Sequence, residues 1–183
     1  WMEVALRLET GNLGASTDDR LQGAPVVVNG VMYTTGGSRR AVVALDARTG
    51  ELRWKYALNE GARAANAPRQ LSGRGLALWQ DGEDTRIIYV TPGYQMIALD
   101  GSTGRPVQSF GVEGIVDLKQ NADQMIDLET GEIGLHSTPI VAKDVVIIGA
   151  AHRTGGNPRS RENVKGYVRG FDVRTGERLW IFH

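Results

Sequence analysis

A five-residue turn of the form Asp-x-x-Thr-Gly occurs three times in this chain, each time directly after a short apolar run. The copies read DARTG at 46–50, DGSTG at 100–104 and DVRTG at 172–176, and DLETG at 127–131 is a weaker echo in an irregular segment. The Asp carboxylate and the Thr hydroxyl can accept backbone N–H bonds within such a turn, and Gly supplies a positive φ. This repetition favours an architectural role for these Asp residues over a catalytic or metal-binding one.

The turn belongs to a longer unit of short strands. In the clearest unit, an apolar run at 25–28 reaches Asn29-Gly30, a strong hairpin signal, and the chain returns at 31–34. A third run at 41–45 precedes the turn, and a fourth at 52–56 follows it. The unit therefore predicts four consecutive antiparallel strands in one sheet.

Three such units follow one another, at about 22–58, 74–110 and 136–183, with an insertion at 111–135. Repeats of four short strands, each about 40 residues or longer, are the signature of a β-propeller. We therefore predict an all-β fold in which residues 1–183 form part of a propeller of four-stranded antiparallel blades. The alternating stretch within 1–21 is expected to belong to a preceding blade.

Strand direction predicts which loops meet. The start of the first strand, the end of the second and the start of the third share one end of each sheet, here called the loop end. The Asp-x-x-Thr-Gly turns lie at the opposite end, here called the turn end. Arg74 and His136 each precede a first strand, and 36–40, 92–94 and 151–165 join second strands to third strands. These segments should converge around a central channel, where a propeller usually builds a ligand site.

Composition narrows the classes of function. Twenty-one basic side chains balance twenty-one acidic ones, so no net field draws the chain to nucleic acid or to an anionic membrane. The chain has no cysteine, which excludes disulfides, thiolate zinc sites and thiol nucleophiles. No apolar run approaches the roughly 20 residues of a membrane helix. Because the chain starts at Trp1 without a signal peptide and ends inside an apolar run, we expect a fragment.

The unit carries a tryptophan four residues after the turn glycine, at Trp54 and Trp180, with Gln108 at this place in the middle copy. This pattern resembles the tryptophan-docking repeat of dehydrogenases that depend on pyrroloquinoline quinone (PQQ). The most specific segments are RGLALW at 74–79 and VKGYVRGFD at 164–172, and the sequence is most similar to the glucose and quinate dehydrogenase branch. Such propellers have about eight blades, so the resemblance implies that this chain holds about three of them.

The resemblance also implies site residues. An Arg directly before Gly-Leu-Ala contacts PQQ in the family, which favours Arg74 as a cofactor ligand over a surface arginine. His136 either contacts the cofactor or substrate or is a structural histidine, and these two alternatives stay open. Thr138 is a weaker candidate for cofactor contact. Glu162 fits the place of the family's metal-binding Glu and would then bind Ca²⁺ (or Mg²⁺). The alternative is that Glu162 belongs to a solvated charged loop. The family's catalytic Asp base is expected beyond the C-terminus, so no catalytic residue is assigned here.

The expected function is that of an enzyme fragment. The resemblance implies a periplasmic quinoprotein dehydrogenase, with membrane anchoring left open, that oxidises an alcohol, sugar, polyol or quinate-like hydroxy acid and passes electrons to ubiquinone or a cytochrome. No nucleic acid partner is expected. The alternative is a non-catalytic propeller scaffold of the outer-membrane assembly type, which shares the repeat. Such a scaffold has no reason to gather Arg74, His136 and Glu162 at one end, and this favours the enzyme.

Overall fold

The computed structural model describes residues 23–37, 40–69, 75–135, 137–152 and 163–183. These ranges contain three four-stranded antiparallel sheets, each with its strands in chain order. The first sheet consists of β1 (Val26–Val28), β2 (Val31–Gly36), β3 (Ala41–Asp46) and β4 (Leu52–Tyr56). The second consists of β5 (Ala77–Asp81), β6 (Asp84–Val90), β7 (Gln95–Asp100) and β8 (Ile115–Asp117). The third consists of β9 (Ile140–Ala142), β10 (Val145–Ile148), β11 (Val168–Asp172) and β12 (Arg178–Phe182).

The predicted all-β fold is confirmed, and the three sheets are blades of a β-propeller. One short helix, α1 (Ala62–Ala65), follows the first sheet. Among the described residues, no helix has the length and apolar character needed to cross a membrane.

The fourth strand of the second sheet lies farther along the chain than the repeat pattern suggests. After the turn at 100–104, the Val107 N–H donates to the Ala98 carbonyl, which begins a pairing with β7. The chain then turns away, with hydrogen bonds from Phe110 N–H to Val107 O and from Gly114 N–H to Phe110 O. It returns to β7 as β8, inside the segment assigned to an insertion at 111–135.

The Asp-x-x-Thr-Gly turns have the predicted geometry. Asp46 Oδ1 accepts hydrogen bonds from the N–H groups of Arg48 and Thr49, each at 3.0 Å. Gly50 has a φ of 76° and donates to the Asp46 carbonyl at 2.8 Å. The same Asp-to-backbone hydrogen bonds recur in the turns that begin at Asp100, Asp127 and Asp172. The echo at 127–131, which lies between β8 and β9, therefore shares the Asp hydrogen bonds of the turn, but Gly131 does not share the positive φ of Gly50, Gly104 and Gly176.

The first and second sheets are joined at the turn end by Trp54. Its Nε1–H donates to the Gly101 carbonyl at 3.0 Å, and the Tyr33 hydroxyl donates to the same oxygen at 3.0 Å. A Cβ on Gly104 would lie 2.5 Å from the Trp54 indole, so the ring packs directly on the turn of the next sheet. The repeat tryptophan Trp54 therefore packs between two neighbouring sheets, with its indole N–H bonded to the second.

The second and third sheets are joined differently because Gln108 replaces the tryptophan. A Cβ on Gly176 would lie 2.6 Å from Val116 and 3.3 Å from Phe110, so these two side chains occupy the turn surface. The Gly111 N–H donates to the Thr175 carbonyl at 2.8 Å, which provides an inter-sheet hydrogen bond from the main chain. The irregular segment around β8 thus replaces the missing indole.

The β6 strand contributes to both inter-sheet cores. Ile87 and Tyr89 pack in the cluster shared with the first sheet, whereas Ile88 and Val90 pack in the cluster shared with the third. All four side chains are buried. Side chains alternate between the two faces of a strand, so a strand covered on both faces has a continuous apolar run.

Candidate functional site

The first strands of the three sheets begin close together at the loop end. Ala24, which precedes β1, forms a parallel bridge with Gly75, which precedes β5. Gly75 has a φ of 104°, and a Cβ there would lie 3.1 Å from the Ala24 carbonyl oxygen and 3.6 Å from Thr138 Oγ1. Thr138 precedes β9. Because only glycine adopts this backbone readily and leaves this space open, Gly75 places main chain of the second sheet against both of its neighbours.

A buried hydroxyl without a partner lies beside this meeting point. Thr35, near the end of β2, is 2% exposed, and within the described part of the chain its Oγ1 has no hydrogen-bond partner. A Cβ on Gly23 would lie 3.2 Å from this oxygen and 3.6 Å from the Gly75 nitrogen. A buried polar group without a partner costs about 1–3 kcal/mol. Thr35 Oγ1 is therefore an unsatisfied polar atom enclosed at the loop end, and an ordered water molecule could complete its hydrogen bonding.

A second unpaired polar atom lies at the loop end of the third sheet. His152 Nδ1 lies 3.0 Å from the Glu132 carbonyl oxygen, while its Nε2 is buried and has no hydrogen-bond partner within the described part of the chain. A Cβ on Gly166 would lie 3.0 Å from this nitrogen. The imidazole borders an open cavity of about 640 Å³ that Asn163 and Tyr167 also line. An imidazole nitrogen in such a place can bind a carboxylate or a metal ion.

The loop after the first sheet, which contains Glu60 and Arg63, is hydrogen-bonded to the loop end of the second sheet. Glu60 accepts hydrogen bonds from the Thr91 hydroxyl at 2.7 Å and from the Gly93 N–H at 2.9 Å. Arg63 donates to the Gly93 carbonyl at 2.7 Å and forms a two-pronged ion pair with Asp117. Burial is the largest single influence and would raise the pKa of Asp117, but hydrogen bonds from Arg63, the Lys119 N–H and Gln120, together with the charge of Arg63, lower that pKa. The segment 60–63 is therefore anchored to Thr91, Gly93 and Asp117.

Three of the four predicted site residues, Arg74, His136 and Glu162, lie outside the described residues. Their assignments stay predictions. The fourth, Thr138, is half-buried, and its hydroxyl oxygen lies 3.6 Å from the position of a Cβ on Gly75. The loop-end convergence predicted from strand direction is thus confirmed for the first strands.

No cluster of three or more His, Asp or Glu side chains that could hold a metal ion occurs among the described residues. Sequence reasoning did not single out Thr35 or His152. Each lies in a segment that the strand directions placed at the loop end, but the sequence gives no sign that a polar atom there is buried without a partner.

Comparison with known proteins places this architecture in a family. A family model described as the β-propeller domain of PQQ glucose/ethanol/alcohol dehydrogenases matches residues 2–183. The quinohemoprotein alcohol dehydrogenase ADH-IIG of Pseudomonas putida is 30% identical over 167 residues, which are 91% of this chain and 20% of that protein. The quinoprotein glucose dehydrogenase of Escherichia coli is 27% identical, over 86% of this chain and 20% of that protein.

The fold agrees with a solved structure of the same kind. The structure of ADHIIG from Pseudomonas putida HK5 superposes with a TM-score of 0.67 at 30% identity, over 91% of this chain and 21% of that one. The chain therefore spans about one fifth of the length of these relatives. With the Trp54 packing, the repeated turns and the loop-end convergence, these matches show that the chain belongs to the β-propeller family of PQQ-dependent glucose, ethanol and alcohol dehydrogenases.

Proposed function

We propose that the complete protein containing this chain is a PQQ-dependent dehydrogenase that oxidises an alcohol, sugar, polyol or quinate-like cyclic hydroxy acid. Electrons would pass to ubiquinone or to a cytochrome, and the protein would work in the periplasm. The observation that carries this proposal is the meeting of Ala24, Gly75 and Thr138 at the loop end, in a chain that the PQQ family model matches over residues 2–183.

The residue types predicted for the cofactor site are suited to a planar, anionic quinone. Arg74 directly precedes Gly75 and would grip adjacent carbonyl or carboxylate oxygens with its planar fork of donors. His136 and Thr138 would donate further hydrogen bonds, and Glu162 would supply a carboxylate oxygen to Ca²⁺ or Mg²⁺. When bound, PQQ supplies an electrophilic quinone carbonyl that accepts hydride from the alcohol carbon. The proton acceptor is expected in a part of the complete protein that this chain does not contain.

Equilibrium titration of the complete protein with PQQ in the presence of Ca²⁺, followed by a dye-linked oxidation assay over a panel of alcohols and sugars, tests the proposal. Arg74→Ala should weaken PQQ binding by roughly ten- to a hundredfold, because it removes charge-assisted hydrogen bonds worth about 1.5–3 kcal/mol. Arg48→Ala, which removes an exposed arginine at the turn end, is the matched control and should leave binding unchanged.

The scaffold alternative predicts the opposite outcome. If the complete protein shows no saturable PQQ binding and no dye-linked oxidation of any alcohol or sugar in the panel, the dehydrogenase assignment is wrong. If PQQ binding is saturable but Arg74→Ala does not weaken it, the protein binds PQQ and Arg74 is not one of its ligands.

A further inference from the structure

Arg40 is a buried arginine at the loop end of the first sheet whose hydrogen bonds reach beyond that sheet. It immediately precedes β3 and is 5% exposed. Its guanidinium donates to the main-chain carbonyls of Val90 and Leu135, each at 3.3 Å, and to the carbonyl of Arg69. A single side chain thus connects the end of β6 with two separate loop segments.

The two loop segments are those that carry predicted cofactor ligands. Leu135 directly precedes His136, and Arg69 lies five residues before Arg74 on the segment that leads into Gly75. A guanidinium has donors in a rigid planar arrangement, so three carbonyls bonded to one head group are held at fixed mutual directions. The position of Arg40 therefore fixes the main chain at Arg69 and at Leu135.

The same position is used for inter-sheet contact in the second sheet. Tyr94 immediately precedes β7, as Arg40 precedes β3, and its hydroxyl donates to the Gly149 carbonyl of the third sheet at 2.7 Å. Gly149 and Val90 occupy matching places at the ends of their second strands. Both Arg40 and Tyr94 have a positive φ, 48° and 65° respectively. A strained backbone at both positions indicates that the direction of these side chains is important to the fold.

Arg40 differs from Tyr94 in carrying a charge. An arginine remains protonated when buried, so the guanidinium keeps a positive charge at the loop end. PQQ has three carboxylates, and a fixed positive charge near its site favours an anionic ligand over a neutral one.

We propose that Arg40 is a positioning residue for the cofactor site: it fixes the main chain at Arg69 and Leu135, which precede the predicted ligands Arg74 and His136 in sequence, and adds a positive charge to the loop end. The part that concerns PQQ rests on the proposed function. The part that concerns the two segments can be measured without any cofactor.

The test uses the complete protein with three variants. Arg40→Met removes both the donors and the charge, and Arg40→Lys keeps the charge but loses the fork. Arg86→Met is the matched control, because Arg86 is also buried and donates to the carbonyls of Val173 and Arg174 in the neighbouring sheet, but at the turn end. Hydrogen exchange of the cofactor-free protein is followed by mass spectrometry at 69–76 and 135–138, and PQQ affinity is measured by equilibrium titration.

Arg40→Met should speed exchange in both segments and weaken PQQ binding by about tenfold or more, the effect expected if a displaced ligand such as Arg74 loses one charge-assisted hydrogen bond to PQQ. Arg40→Lys should speed exchange to a similar degree but weaken binding less, since the charge remains. Arg86→Met should lower the thermal midpoint while leaving exchange in these segments and PQQ affinity within about twofold, because its effects are at the other end of the sheets.

Unchanged exchange in both segments of a folded Arg40→Met protein would overturn the positioning role. Equal effects of Arg86→Met would overturn it too, because they would show that general destabilisation suffices. If Arg40→Met does not fold, Arg40→Lys decides the question by the same exchange measurement. If the wild-type protein binds no PQQ, the proposed function fails, and the exchange data still decide whether Arg40 orders the two segments.

Discussion

Gly104→Ala should destabilise the propeller by more than a backbone effect alone explains. Gly104 has a φ of 70°, and the new Cβ would lie 2.5 Å from two atoms of the Trp54 indole. The left-handed conformation costs an alanine about 1–2 kcal/mol, and overpacking a filled site typically costs about 1–3 kcal/mol more. We therefore expect a loss of about 2–5 kcal/mol in the free energy of unfolding.

Gly30→Ala separates these two contributions. Gly30 has a φ of 75°, but nothing lies within 4 Å of the position of its Cβ. It should lose only the backbone contribution of about 1–2 kcal/mol. The excess loss in Gly104→Ala over Gly30→Ala, about 1–3 kcal/mol, then measures the packing of Trp54 on the next sheet.

Urea unfolding of the complete protein, followed by far-UV circular dichroism and tryptophan emission, provides both free energies. In a Trp54→Ala background, Gly104→Ala should lose less free energy of unfolding than in the wild-type background, because the clashing ring is then absent. If the two glycine variants are destabilised equally, within about 0.5 kcal/mol, the Trp54 indole does not pack on the turn of the next sheet.

Two further predictions concern the turn end and the anchored loop. The ion pair with Arg53 holds the pKa of Asp46 well below its usual range. The ionised Asp46 therefore stabilises the fold at pH values above its unfolded-state pKa of about 3.9, and this stabilisation is lost as the pH falls below that value. Asp46→Asn should flatten the dependence of the urea midpoint on pH between about 4 and 2, and an unchanged slope would contradict this. Arg63→Gln should release its loop from Asp117 and Gly93 and speed limited proteolysis there by about tenfold, whereas cleavage at the wild-type rate would show that this ion pair does not anchor the loop.

The sequence predicts most of the fold because its signals are local. In the Asp-x-x-Thr-Gly turn, one carboxylate accepts the backbone N–H bonds of the turn, as Asp46 does for Arg48 and Thr49. The turn therefore needs no partner from a distant segment. Asn29 and Gly30 both have a positive φ, as expected of the hairpin turn that their identities indicate. Strand direction then follows from connectivity, which is why the loop-end convergence could be predicted before any contact was seen.

The features that the sequence did not predict depend on contacts between distant segments. The β8 strand has only three residues, too few for a periodic pattern, and pairs with β7 after an intervening turn. Phe110 and Val116 replace a tryptophan at the second inter-sheet contact, which no spacing rule indicates. Arg40 resembles any loop arginine in the sequence, and its burial against carbonyls of three other segments is visible only in three dimensions.

The most direct test of the loop-end cofactor site is an experimental structure of the complete protein with PQQ and Ca²⁺ bound. We expect density for the planar tricyclic quinone at the loop end, in contact with the main chain at Gly75 and with Thr138, and a hydrogen bond from the side chain of Arg74. Quinone density at the turn end, or in a region remote from Ala24, Gly75 and Thr138, would contradict it.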